Sequence, residues 1–256
     1  MKKYKLTKEK KEVLGRTLFR IEATTSFGSV EKGDKGGWIE KEENLSQDGN
    51  AWVFGDAKVF GDARVFGDAE VSGDAKVSGD AWVFGNAEVS GDARVSGDAK
   101  VYGNAEVFGD AWVFGNAEVS GDAKVYGNAE VYGNAKVFGD AWVFGNAEVF
   151  GDARVFGDAE VSGDAKVYGN AEVSGNAEVY GNTKVSGKYS LTAGFFFGFQ
   201  YKDEEVKYVS QGNDYTLIAK GNVKCDPIEK EEDTIEIDGK RFSTSTIKEA
   251  LKQYVE

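Results

Sequence analysis

A six-residue phrase repeats from residue 51 to residue 187 and restricts the fold more than any other feature. It reads Val-Phe-Gly-Asp-Ala-Lys at 53–58 and Val-Phe-Gly-Asp-Ala-Arg at 59–64, with a valine at every sixth position from Val53 to Val185. Gly stands two places after each valine. Up to the last valine, Asp or Asn follows that Gly, and then Ala, with Thr183 the single replacement. Read as strand, Ala-x-Val alternates inward, outward, inward, because β side chains change face at each residue. Gly followed by Asp or Asn is a turn signal, since Gly accepts φ > 0 and Asp and Asn tolerate left-handed geometry. Helices need apolar residues at three- and four-residue spacing, which a strict period of six does not supply. Each phrase is therefore a short strand and a corner. Alone it buries nothing, so it must stack on its neighbours.

The pattern of aliphatic residue, three variable positions, small residue and one variable position resembles the hexapeptide-repeat proteins. Val53 with Ala57, and Val59 with Ala63, fit it, as do the later phrases. The resemblance implies a left-handed parallel β-helix with three phrases per coil, each coil rising by about 4.8 Å. Residues 51–187 would then make about 7.6 coils, on the order of 36 Å of prism. A right-handed helix, as in bactofilin-like filament proteins, is the structural alternative. The fold class expected is an all-β solenoid, a three-faced parallel β-helix with a small C-terminal α+β module. The divisions are 1–50 as N-terminal cap, 51–187 as repeat, and 188–256 as that module.

Residues 13–23 read as extended chain, and the lysine-rich 1–12 stretch has no apolar run like that of a signal peptide. The cluster from Gly33 to Gly37 reads as a turn. It lacks the Gly-Lys-Ser/Thr ending of a phosphate-binding loop. Phe-Gly-x-Val-x-x-Gly from Phe27, Gly-Gly-Trp-Ile from Gly36, Asn-Leu-Ser from Asn44 and Gly-Asn-x-Trp-Val from Gly49 occur in an order similar to the start of YdcK-type hexapeptide proteins. That resemblance implies a bacterial or prophage setting and little about activity. Physically, the segment caps an open coil that would otherwise template aggregation.

After Ser186 the texture changes. Residues 193–201 form a strongly apolar strand, 206–209 and 215–219 read as strands, and the acidic 229–233 stretch as a solvated loop. Residues 234–237 and 240–242 read as a hairpin joined by Asp238-Gly239, a favoured two-residue turn. A helix should close the chain, with Thr246 and Glu249 as capping box and an apolar stripe of Ile247, Ala250, Leu251, Tyr254 and Val255.

The net charge of −13 is concentrated on the repeat, which carries 10 Lys/Arg against 22 Asp/Glu. Direct nucleic-acid binding is not expected, because phosphate neutralisation needs a basic face. No run approaches the roughly 20 apolar residues of a membrane helix, so no membrane partner is expected. The single cysteine, Cys225, suits a reducing cytoplasm. Hexapeptide acyltransferases typically use a histidine base, and γ-type carbonic anhydrases hold zinc with histidines. This chain has no histidine. No residue is singled out as catalytic, cofactor-binding or metal-ligating, and no cofactor is expected.

Asp56, Asp74, Asp92 and Asp110 should stack in one corner column, which Asn128 and Asn146 continue. The exchange of Asp for Asn favours a turn role over calcium. Trp52, Trp82, Trp112 and Trp142 are 30 residues apart, so successive ones fall on different faces. The residue after each valine is Phe, Tyr or Ser. Phe114, Tyr132, Phe150 and Tyr168 should line one face, Phe108, Tyr126 and Phe144 another, and Phe66, Phe84 and Tyr102 the third. These columns either stack between coils or form an interface. Phe114, Tyr132, Phe150 and Tyr168, with Phe195, Phe197 and Phe199 beyond the repeat, are the candidate interface residues.

Three functional classes follow. The first is a non-catalytic scaffold or binding protein with a protein or small-ligand partner. It would form a homo-oligomer and, if phage-encoded, could act on host defence. The others are an acyltransferase-like enzyme and a filament-forming structural protein.

Overall fold

The computed structural model describes residues 2–197, 200–201, 234–237 and 240–243. It is a parallel β-solenoid. Each two-residue strand pairs with the strand 18 residues away, as in Glu88 with Glu106 and Val89 with Val107, so three phrases make one coil. One face stacks the strands that begin at Lys58, Lys76, Arg94 and Trp112. A second stacks those at Trp52, Glu70, Glu88 and Glu106, and the third those at Arg64, Trp82, Lys100 and Glu118. Strand Glu172–Tyr180 runs around a corner without a break and joins the second and third faces.

The expected alternation is observed. Val59, Val77 and Val95 point inward with Ala57, Ala75 and Ala93 beside them, all fully buried. At the corners glycine is required twice over. Gly109 has φ 72°, and a Cβ added there would lie 3.1 Å from the Gly127 nitrogen in the next coil. A side chain would both strain the backbone and separate the coils.

A backbone ladder joins the coils. Lys100 N donates to Ala117 O at 2.9 Å, Tyr102 N to Val119 O at 3.0 Å and Asn104 N to Gly121 O at 2.8 Å. At these positions the N–H of one coil donates to a carbonyl of the next one along the chain. The first coil therefore presents a ring of such carbonyls at its N-terminal end, and buried carbonyls need donors.

The cap supplies them. Strands β1 (Tyr4–Val13) and β2 (Arg16–Ala23) form an antiparallel hairpin, and β2 pairs with β3 (Lys35–Ile39). Trp38 N and Glu40 N donate to Ala57 O and Val59 O, and Ser46 N to Val65 O. The Asn44 side-chain amide donates to Gly61 O at 3.0 Å and Ala63 O at 2.8 Å. Lys3 Nζ donates to Ala51 O at 2.8 Å and Gly49 O at 3.2 Å. The lysine-rich start is strand β1, in which Tyr4 is fully buried against the first coil while the lysines stay outside. One expectation is corrected here. Lys35–Ile39 is strand rather than turn, because Trp38 and Ile39 pair with Lys58 and Val59 as a first rung.

Parallel pairing also continues past Gly187. Strand Ser190–Phe197 pairs with Glu172–Tyr180, with a register shift between Val173 and Asn176, and Gln200–Tyr201 pairs with Lys184–Val185. A separate compact unit spans Cys225–Glu256. Within it Thr234–Ile237 and Lys240–Ser243 form the expected antiparallel hairpin. The strands read at 206–209 and 215–219, the acidic loop at 229–233 and the helix from Thr246 lie outside the described residues. Among the described residues no helix is long and apolar enough to cross a membrane.

Candidate binding surface

With Val and Ala committed to the core, the prism sides are built from the residue before each valine, the residue after it, and the corner Asp or Asn. The residues after the valines fall in the expected columns, and within them the rings stack between coils. Ring centroids of Phe114 and Tyr132 are 4.8 Å apart, those of Tyr132 and Phe150 4.9 Å, and those of Phe150 and Tyr168 4.9 Å, with planes within 6°. The other two columns stack likewise, and Phe138 and Phe156 add a pair of their own. The spacing equals the coil rise, so each ring covers its neighbour, and each offset pair contributes about 0.5–1.5 kcal/mol beyond burial. Tyr132 also donates to Glu148 Oε2 at 3.2 Å. Burial, and then the Glu148 charge, push its hydroxyl up to about 12.

Phe195 and Phe197 lie on a strand of another face. Phe195 is 54% exposed and pairs opposite Glu178 on the second face. Phe197 pairs opposite Tyr180 in the same strand, and Phe199 lies outside the described residues.

The corners explain the exchange of Asp and Asn. Asn86 donates to Asn104 at 3.0 Å and Asn104 to Asp122 at 2.8 Å. The same run occurs through Asn116 and Asn134 to Asp152, and through Asn128 and Asn146 to Asp164. Amides both donate and accept, whereas a carboxylate only accepts, and each of these three runs of Asn ends on Asp. Among the described residues no three Asp, Glu or Cys side chains are grouped as a metal site would require.

The tryptophans share one phrase but not one environment. Trp52 is buried under Tyr4 and Phe27, with centroids at 6.1 and 5.4 Å. Trp112 packs on Phe114 at 4.7 Å and donates to Ser96 Oγ at 3.3 Å, with the Arg94 guanidinium over its ring. Trp82 and Trp142 are each 40% exposed. Each lies in an open recess of the same design, a tryptophan beside a rail of corner carboxylates. The first, about 370 Å³, is lined by Asp80, Trp82, Asp98, Lys100, Asn116 and Glu118. The second, about 470 Å³, is lined by Asp122, Lys124, Asp140, Trp142, Asp158 and Glu160.

Charges elsewhere on the sides pair between coils. Lys124 meets Glu106 at 2.8 Å, Lys136 meets Glu118 at 3.1 Å and Lys166 meets Glu148 at 2.5 Å. Asp140, Asp158 and Glu160 have no such partner among the described residues. The second recess therefore combines an aromatic face with uncompensated carboxylates, the chemistry that receives an ammonium or guanidinium. Sequence reading missed it, because identical phrases do not reveal which tryptophan its neighbours cover. Glu70 is a different case. Burial and the adjacent Glu88 raise its carboxyl above the ordinary range.

No family model matches the chain. A stretch of 65 residues is 38% identical to a protein of Escherichia coli (strain K12) described as the uncharacterized acetyltransferase YdcK. The match covers 21% of this chain and 19% of that protein, so the chain spans about a fifth of its relative's length. Together with the six-residue phrase and the parallel solenoid, this likeness is consistent with a hexapeptide-repeat protein.

Proposed function

We propose that the chain is a non-catalytic β-helical scaffold that binds a protein partner on the sides of its prism. The observation that carries this reading is the recess at Trp142. Its exposed ring stands beside Asp140, Asp158 and Glu160, which lack cationic partners among the described residues. A partner presenting lysine or arginine would supply the missing charge while its stem covers the ring. Such a scaffold works as a homo-oligomer in the cytoplasm. If the chain is phage-encoded, the partner is a host protein and host defence is the narrower target.

The test is recovery of a partner from bacterial lysate by the full chain, followed by Trp142→Ala and Asp140→Asn/Asp158→Asn variants. Both should weaken capture by at least about tenfold, and raised salt should weaken it further. Equal capture by the parent and both variants would sink this surface as the binding site.

A second reading, acyl transfer, is favoured by the name of the relative. With no histidine, a carboxylate would have to act as base, and Glu70, with its raised carboxyl, is the one to substitute. Turnover of acyl-CoA with amine or hydroxyl acceptors, abolished by Glu70→Gln, would establish that reading.

A further inference from the structure

Leu14 is the one non-glycine residue with positive φ among those described, at 51°. With Gly15 at φ 76° it forms the two-residue turn between β1 and β2, closed by the pairing of Val13 with Arg16. Both positions of such a turn need φ > 0, which Asn, Asp and Gly adopt readily and leucine does not. Leu14 receives no packing in return, since it is 84% exposed. The fold does not call for leucine here. An apolar side chain held at a strained tip is suited to contact outside its own chain.

A complementary recess lies at the same end of the prism. It is lined by Glu43, Ser46, Arg64, Val65, Phe66 and Trp82, with a volume of about 450 Å³. Phe66 and Trp82 meet edge to face at 6.0 Å and form its apolar wall. Glu43 and Arg64 have no ion pair among the described residues. The tip carries the opposite set, because Glu12 and Arg16 flank Leu14 on the two strands. Arg16 pairs with Glu40, which accepts from Gly61 N at 2.7 Å and so fixes the hairpin to the coil that carries Arg64.

We propose that Leu14 is a docking knob that enters this recess on a second copy of the chain. Glu12 then faces Arg64 of that copy, and Arg16 faces its Glu43. The inference rests on the oligomeric part of the proposed function and names its interface. Knob and recess on one end of one chain allow a two-fold contact in which each copy gives its tip and receives the other's.

Sedimentation of the full chain between about 1 and 100 μM tests this. The parent chain should dimerise. Leu14→Asn keeps a residue suited to the turn, so it should melt at the same or a higher temperature while its dimer dissociates at least about tenfold more readily. Glu12→Arg and Arg64→Glu should each weaken the dimer, and the two together should restore it. A parent chain that stays monomeric at about 100 μM overturns the proposal. So does an assembly that Leu14→Asn leaves intact, a Leu14→Asn chain that fails to fold, or a double variant that stays dissociated. A monomer that still captures its partner through Trp142 would separate this failure from that of the binding reading.

Discussion

The cap and the repeat bury their apolar residues by opposite means. Along the prism the core is small and uniform, Val and Ala in every coil, and no residue lacks an equivalent 18 positions away. In the cap each large side chain occurs once, as with Tyr4, Ile21, Ile39 and Leu45, and Tyr4 covers Trp52 of the first coil. Their hydrogen bonds differ in the same way. Prism bonds repeat between backbone groups, whereas the first carbonyl ring is met partly by two side chains, Lys3 and Asn44. The difference teaches that a solenoid's stability is shared among coils, but its termination depends on single residues without substitutes.

The largest test of that contrast is Trp52→Ala. Trp52 is 1% exposed, and its loss should cost about 3–5 kcal/mol, with hydrogen exchange rising first in the cap and the first coil. Trp142→Ala, the same change in the same phrase, should leave stability within about 0.5 kcal/mol. Equal losses in denaturant titrations would break the comparison.

A paired asparagine substitution sharpens it. Asn44→Ala leaves Gly61 O and Ala63 O without their donor and should cost about 1–3 kcal/mol. Asn134→Ala breaks an exposed ladder that water can replace, and should cost about 0.5 kcal/mol or less.

Glycine separates the regions more finely. Gly109→Ala and Gly15→Ala both force alanine to positive φ, which costs about 1–2 kcal/mol. Only at Gly109 does the new Cβ also press on the next coil, because Gly15 has open space around it. Thermal melts should therefore place the Gly109 variant below the Gly15 variant.

A pH dependence of the cap is also expected. Burial lowers Lys3 from 10.5 to about 8, and burial with Glu42 raises the Tyr4 hydroxyl above its ordinary 10.0. From about 8 upward the unfolded chain keeps the Lys3 proton that the folded chain has released, so stability rises with pH. Above 10.0 the unfolded chain releases the Tyr4 proton that the folded chain retains, and stability falls. Cap stability should peak near pH 10, and Lys3→Met should remove the rising limb in melts followed across that range.

Much of this was legible from residues alone. The six-residue period turns Val and Ala inward, and the resemblance to hexapeptide-repeat proteins supplies three phrases to a coil. Together they align the aromatic columns, because every neighbour is then the same phrase at a fixed offset of 18. The candidate surface was less legible. Trp52, Trp82, Trp112 and Trp142 sit in equivalent phrases, yet the aromatic column was readable and the exposed recess beside it was not.

From residues alone came the repeated strand-and-corner unit and its inward valines, which follow from local alternation and a strict period, and the acidity of the repeat, which follows from its composition. Tertiary structure alone decided that Trp52 is covered while Trp142 faces solvent, that Lys3 and Asn44 close the carbonyl ring, and that Leu14 stands strained in water. Burial of Trp52 by Tyr4, and capture of Ala51 O by Lys3, join residues more than 40 positions apart with no period to announce them. Periodic order repeats its contacts in the sequence itself, whereas a cap forms from contacts made once, which exist only when the chain has folded back on itself.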